Sequence, residues 1–323
     1  MVLKEKDVID VAYHFNIEHI EQIQFYRNED NILVEFYSHG QQFYLKGEEA
    51  NEEFTQKTVQ FASLMKEKGF PFTTYLYTDS GAPTFKYNNF ILTLEEKIEG
   101  TEIEQLTMLQ LKEIGSLLGK QHQLSSQINF SFDSGTSFGM FGGNATDSLG
   151  DYDENELSFQ DFINAMIGKD LVDDIQKIYL EKRQHVKEVW HSLPSGPVQG
   201  DFCPYNMIFS ETGKIKGVYD FNIAGNEVFL NECIAAGVYI SWHYSFAGEE
   251  SPLERFHCFM QSYENSRPLT LLERTYFDTI FQIIRAFRFD RIEEGIEDKV
   301  RHKKFIEETY EILNSSSGYI PCK

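Results

Sequence analysis

At 323 residues the chain is too long for one compact core and implies two domains. Hydrophobic residues at 41% and charged residues at 25% exclude a disordered polymer. A formal charge of −22 excludes a nucleic-acid role, since the chain repels phosphate backbones, and serves either solubility or a cleft that attracts cationic, amine-bearing molecules. The four cysteines, Cys203, Cys233, Cys258 and Cys322, form no CxxC pair, which argues against a zinc knuckle and for a reducing compartment. The N-terminus, MVLKEKDVIDVAYHF, lacks the apolar centre of a secretory leader, and no apolar run reaches about 18 residues. The expected location is the cytoplasm, with no membrane partner.

In chain order, Asp7 to Tyr13 has helical apolar spacing. Ile23 to Tyr26, Ile32 to Tyr37 and Gln42 to Lys46 are short apolar or alternating runs parted by Asn28–Asn31 and Ser38–Gly40, the pattern of three antiparallel strands. Glu48 to Lys68 contains neither Gly nor Pro, carries Phe54, Phe61, Leu64 and Met65 near helical spacing, and ends at Gly69. Thr73–Thr78 and Phe90–Leu94 flank a turn around Ser80–Gly81 and predict another hairpin. LEEKIEG, residues 94–100, is the expected crossing between domains, dividing the chain into residues 1–97 and 98–323. Beyond it Thr107 to His122 is helical, Ser131 to Gly150 is a Gly-, Ser- and Asp-rich loop, Phe159 to Trp190 is a polar-faced helix, and residues 231–314 are again helical.

The chemistry concentrates in VQGDFCPYNMIFSETGKIKGVYDFNIAG, Val198 to Gly225. Met207–Phe209 and Ile215–Tyr219 flank Glu211–Thr212–Gly213–Lys214, a hairpin signal. A hairpin brings its open ends together, so Asn206, just before the first strand, is expected beside Asp220, just after the second. An amide oxygen and a carboxylate there suit magnesium, with phosphate and water completing its shell. Asp201 sits on the loop entering the same hairpin, placed to take a proton from a hydroxyl. Phosphoryl transfer requires little more than charge stabilisation and an aligned nucleophile.

GDFCPYN followed by YDF resembles the GDxxxxN…DF signature of the aminoglycoside phosphotransferase and choline kinase family, a relative of the protein kinases. IEG at 98–100, LLGKQHQLS with His122, and AGNEVFLNECIAAG with Glu232 are similar to further segments of that family. SRPLTLLERTY and IIRAFRFDRI are similar to bacterial homoserine kinases of the same fold. The resemblance implies an α+β, two-lobed, protein-kinase-like fold: a small N-terminal antiparallel sheet with one helix, which binds nucleotide, and a larger, mainly helical C-terminal lobe for catalysis and substrate. It implies ATP and Mg²⁺ as cofactors, Asp201 as catalytic base, and Asn206 and Asp220 as magnesium ligands. Lys46 then holds the α- and β-phosphates, Glu53 is taken as its acidic partner over Glu49 and Glu52, and backbone groups around Glu96 and Ile98 bind adenine. Gln199 stands where the family has histidine, which predicts weaker support of the loop.

The function expected is transfer of the γ-phosphate of ATP to a hydroxyl of a small, amine-bearing molecule: an amino alcohol, a homoserine-like compound or an aminoglycoside. The competing reading is a non-catalytic binding or structural protein on the same fold, favoured by Gln199 and opposed by the intact Asp201, Asn206 and Asp220. A protein kinase is disfavoured, because no activation segment follows Asp220. His122, on an apolar helical face, is expected as a hydrogen-bonded core residue. Glu232 is open between bracing the catalytic loop and capping a helix. Trp242 and Tyr244 are candidates for an aromatic wall around an amine.

Overall fold

The computed structural model describes residues 2–136, 139–141 and 154–320. Chain contacts group it into two units: Met1–Glu102 with Met207–Asn222, and Ile103–Asn206 with Ile223–Lys323. A single cut at 97/98 is therefore not how the contacts divide, because the hairpin strands at 207–209 and 215–218 group with the N-terminal segment.

The first unit opens with helix α1 (Glu5–His14), followed by strands β1 (Ile20–Asn28), β2 (Asn31–Ser38) and β3 (Gln41–Glu48), helix α2 (Glu52–Glu67) and strands β4 (Tyr75–Leu76), β5 (Phe85–Tyr87) and β6 (Phe90–Glu96). The sheet runs β1-β2-β3-β6-β4, all antiparallel, and β5 also pairs with β6. The expected hairpin over 73–94 is thus two short strands, β4 and β5, on one partner, β6. Alternation decides the faces. Ile32, Val34, Phe36, Phe43, Leu45, Leu92 and Leu94 are buried against Val8, Val11, Ala12 and Phe15 of the α1 segment. Tyr44, Lys46 and Glu48 project from the opposite face.

The hairpin docks by backbone bonds within this unit. Thr101 and Phe209 exchange N–H···O bonds, each 2.9 Å, and Val218 accepts from Thr73 N at 2.9 Å while donating to Pro71 O at 2.8 Å.

The second unit holds α3 (Met108–Ser125), α4 (Glu154–Met166), α5 (Val172–Val189), α6 (Phe229–Val238), α7 (Pro252–Glu264), α8 (Leu271–Ala286), α9 (Phe289–Glu297) and α10 (His302–Asn314). The single helix expected over 159–190 is two, α4 and α5, because the chain turns through Gly168 and Leu171, whose φ angles are +76° and +69°. The expected 131–150 loop lies partly outside the described residues. A short antiparallel pair, Ser195–Val198 with Gly225–Val228, supports the loop that follows Val198. Gly115 and Gly119, one turn apart on α3, let α7 approach closely: a Cβ at either would come within 2.6 Å of Phe259 O or 2.5 Å of Tyr263 O. No helix among the described residues is long and apolar enough to cross a membrane.

Candidate active site

In the first unit, register builds a polar face. Tyr44 lies opposite Glu95 and Lys46 opposite Thr93, so these four side chains share one side of the sheet, and Lys46 and Glu95 are diagonal neighbours. Lys46 Nζ lies 3.0 Å from Glu95 Oε1 and donates to Oε2 at 3.1 Å. Glu95 also accepts from Thr73 Oγ1 at 3.3 Å and is almost fully buried. The expected Lys46–Glu53 pair is not formed: Glu53 is exposed in the first turn of α2, its N–H capped by Asn51 Oδ1 at 2.9 Å. The neighbour supplied by β6 meets Lys46 instead of one from the helix.

Asp220 belongs to the same face. Its backbone is left-handed, φ +63°, and Phe221 after it is driven into an aromatic cluster, 4.7 Å from Phe72 and 6.5 Å from Phe61 between ring centroids. Burying that ring anchors the turn and so aims the carboxylate. Burial raises the Glu48 carboxyl above its ordinary value and the Asp220 charge raises it further, with Lys46 opposing. The Lys46 ammonium also sits 5.7 Å from the Tyr219 ring centroid. The hairpin pairs as expected, Met207 opposite Val218. Of the two adenine positions, Glu96 gives its N–H to Thr74 O at 3.0 Å, while the Ile98 backbone takes part in no such bond among the described residues.

In the second unit, Gly200 enters the Asp201 loop with φ +91°, and a Cβ there would stand 2.4 Å from Ile223 O, so this turn excludes any other residue. Asp201 N donates to Gln199 Oε1 at 2.9 Å. Gln199 is fully buried, and its amide oxygen is the group in the histidine position that holds this N–H. Asn206 Nδ2 donates to Asp201 O at 3.0 Å and to Asp201 Oδ2 at 2.9 Å. Its Oδ1 takes no hydrogen bond among the described residues. An amide held by its nitrogen, with its oxygen left over, is suitable as a hard-cation ligand. No cluster of three His, Cys, Asp or Glu among the described residues is arranged for a metal, so a divalent ion would rely on one or two protein oxygens, as magnesium does beside nucleotide phosphates.

A buried polar chain backs this loop. Arg267 pairs with Glu273 at 2.9 Å and donates to Tyr263 Oη at 3.0 Å; Tyr263 Oη bonds His122 Nδ1 at 2.7 Å; His122 Nε2 bonds Glu232 Oε2 at 2.5 Å; and Glu232 Oε1 accepts from Gly200 N at 3.0 Å. Burial lowers His122 well below its usual range and raises Glu232 to about 8, so one proton lies between them and no net charge is buried. Glu232 thus braces the loop that carries Asp201. Glu227 is raised to about 7 by burial, against bonds from Thr136 Oγ1 at 2.6 Å and Val228 N at 2.7 Å.

The loop opens onto a cavity of about 870 Å³ contained in this unit. Asp201, Cys203 and Tyr205 line it, together with Tyr239, Trp242 and His243 from a single π-helical turn, Tyr239–His243, and Arg285, Arg288 and Arg291 beyond. Burial, and then the Asp201 charge, raise the Cys203 thiol far above its ordinary value, which keeps it protonated. Trp242 lines this cavity; Tyr244 does not, and donates to Ile103 O at 2.6 Å. Sequence reasoning passed over Glu95 and the arginines. The signal for the latter was present: three arginines within seven residues, RAFRFDR, in a chain with 29 basic and 51 acidic residues.

Residues 52–257 match the model of the phosphotransferase enzyme family. A homoserine kinase of Polaromonas naphthalenivorans (strain CJ2) is 34% identical over 101 residues, which span 31% of this chain and 30% of that protein. An amicoumacin kinase, solved with AMP-PNP, Ca²⁺ and amicoumacin, superposes over 98% of this chain and 96% of its own with a TM-score of 0.62 at 14% identity. A microcompartment-associated aminopropanol kinase covers 96% and 95% with the same TM-score of 0.62 and 14% identity. A spectinomycin phosphotransferase, solved with ADP and spectinomycin, covers 98% and 99% at a TM-score of 0.54 and 10% identity. These likenesses show the fold, a small antiparallel sheet followed by a mainly helical region.

Proposed function

Because this chain belongs to the phosphotransferase enzyme family, we propose that it is a small-molecule kinase that moves the γ-phosphoryl group of ATP to a hydroxyl of an amine-bearing acceptor. The observation that carries this reading is Asp201, its carboxylate held by Asn206 and its backbone N–H by Gln199, on the wall of a cavity of about 870 Å³. Asp201 receives the proton of the acceptor hydroxyl and orients its oxygen for in-line attack. Asn206, through Oδ1, and Asp220 hold magnesium, which supplies positive charge to the triphosphate when bound. Lys46, oriented by Glu95, grips the α- and β-phosphates, and the backbone around Glu96 and Ile98 receives adenine; Glu53 has no part. Likeness to a homoserine kinase, an aminopropanol kinase and an amicoumacin kinase supports an acceptor that carries an amine beside its hydroxyl. An ATP-dependent reaction, with Cys203, Cys233 and Cys258 all free thiols, suits the cytoplasm.

The test is a melting curve with and without millimolar Mg-ATP, followed by an ATP-consumption screen across amino alcohols, hydroxy amino acids and aminoglycosides. Mg-ATP is expected to raise the melting temperature, Asp220→Ala to remove that rise, and at least one acceptor to consume ATP. No shift and no consumption would return the chain to the binding-protein reading.

A further inference from the structure

The cavity wall beyond Asp201 carries guanidinium groups with donor nitrogens that meet no acceptor among the described residues. Arg285, near the end of α8, stacks 4.7 Å from the Trp242 ring centroid and makes no hydrogen bond or ion pair among the described residues. Its Nη1 is shielded from solvent without a partner. Arg288, at the start of α9, is only 13% exposed at its side chain; it gives Nε to Asp290 Oδ2 at 3.0 Å and lies 4.7 Å from the Tyr239 ring centroid. Among the described residues its two terminal nitrogens have no hydrogen-bond acceptor. Tyr239 in turn touches Tyr205, 6.0 Å between centroids, and Tyr205 belongs to the loop that carries Asp201. Arg291 differs, because it is committed to Ala286 O at 2.7 Å and Thr309 Oγ1 at 2.9 Å.

The acids around the same cavity leave the terminal nitrogens of Arg288, and Arg285, without a hydrogen-bond acceptor among the described residues. Asp290 alone bonds Arg288, and it also faces His243 at 3.5 Å. Glu227 and Glu232 are engaged by Thr136, Val228, Gly200 and His122 and hold their protons near neutral pH. Glu294 and Asp298 are exposed and solvated. Desolvation lowers Arg285 to about 10, against the attraction of Asp290 and Glu308. A stacked guanidinium with unused planar donors is the recognition element for a carboxylate, which it meets with paired N–H···O bonds.

Building on the kinase reading, we infer that the acceptor carries a carboxylate as well as its hydroxyl, and that Arg288, assisted by Arg285, is the residue that selects it. The acceptor class narrows to hydroxy acids, hydroxy amino acids among them, and excludes plain amino alcohols and aminoglycosides as best substrates. The arginines are specificity residues and take no part in proton transfer.

Matched pairs that differ only in the carboxylate test this: homoserine against 3-aminopropan-1-ol, serine against ethanolamine, threonine against 1-aminopropan-2-ol. The member with the carboxylate is expected to have kcat/KM about 10–100-fold higher, the discrimination that hydrogen bonds to a charged group provide. Arg288→Met is expected to raise the acceptor KM by the same factor with the KM for ATP unchanged, and Arg288→Lys to recover only part, since it restores the charge without the fork. Calorimetric titration of the same pairs into the nucleotide-free protein reads the subsite whether or not turnover is seen, and a melting curve of each variant checks its folding. Equal or better use of the amino alcohols, or an Arg288→Met variant with unaltered acceptor affinity, would overturn the assignment while leaving the kinase reading in place. Preference for a phosphate-bearing alcohol over its carboxylate counterpart would overturn it too. Loss of the Mg-ATP melting shift in the parent protein would instead strike the kinase reading alone.

Discussion

Replacing Glu232 by alanine should unsettle the Asp201 loop from behind, and replacing it by glutamine should not. In the parent, Oε1 accepts from Gly200 N at 3.0 Å and Oε2 bonds His122 Nε2 at 2.5 Å, both in full burial. Alanine leaves two buried groups without partners, each costing about 1–3 kcal/mol. The sum, about 2–6 kcal/mol, corresponds to a melting temperature lower by roughly 5–20 °C at the few degrees per kcal/mol of a chain this size. Glutamine can accept from Gly200 and donate to His122, so its melting point should stay within about 3 °C of the parent. Differential scanning calorimetry reads both, and hydrogen exchange at the Gly200 amide localises the change. An alanine variant that melts like the parent, or a glutamine variant as damaged as the alanine one, would refute the bracing role of this chain of bonds.

Asp201→Asn is expected to lower turnover by about 10²–10⁴-fold while preserving the Mg-ATP melting shift; steady-state kinetics with melting curves checks both. Lys46→Met and Glu95→Gln should each raise the KM for ATP by about 10-fold or more, and Glu53→Gln should leave it unchanged, which separates the observed lysine partner from the expected one. Stability should fall as pH rises from about 4.5 to 8, most steeply above about 6.5, where the proton that His122 binds only in the unfolded chain no longer offsets the loss. Glu227 and Glu232 have folded values raised to about 7 and about 8 from an ordinary 4.5, so the native chain holds protons there that the unfolded chain releases. The stability they contribute is complete below about 4.5 and is lost as pH passes 7 to 8; Glu232→Gln should flatten that decline, read as melting temperature against pH.

What could be read in the sequence and what could not divides by the range of the interaction involved. Strands β1 to β3 and the Met207–Val218 hairpin were legible because alternation and turn residues are local signals. Gly200, Asp201 and Asn206 were legible because a tight loop keeps its chemistry within a few residues. The break between α4 and α5 was missed because Leu171, an apolar residue, adopts a left-handed turn that its side chain does not announce. Glu95 is not legible because it pairs with Lys46 through sheet register, 49 positions apart in the chain, while Glu49, Glu52 and Glu53 are nearer in sequence. Register nevertheless makes that pairing a consequence rather than an accident. Once Phe43 and Leu45 turn into the α1 core, Lys46 must face the other way, and the β6 residue that shares its side one step along is Glu95. A one-residue slip of β6 would bury Glu95 under α1 and expose Leu94, so the same hydrophobic pattern that builds the sheet fixes the charge beside the lysine.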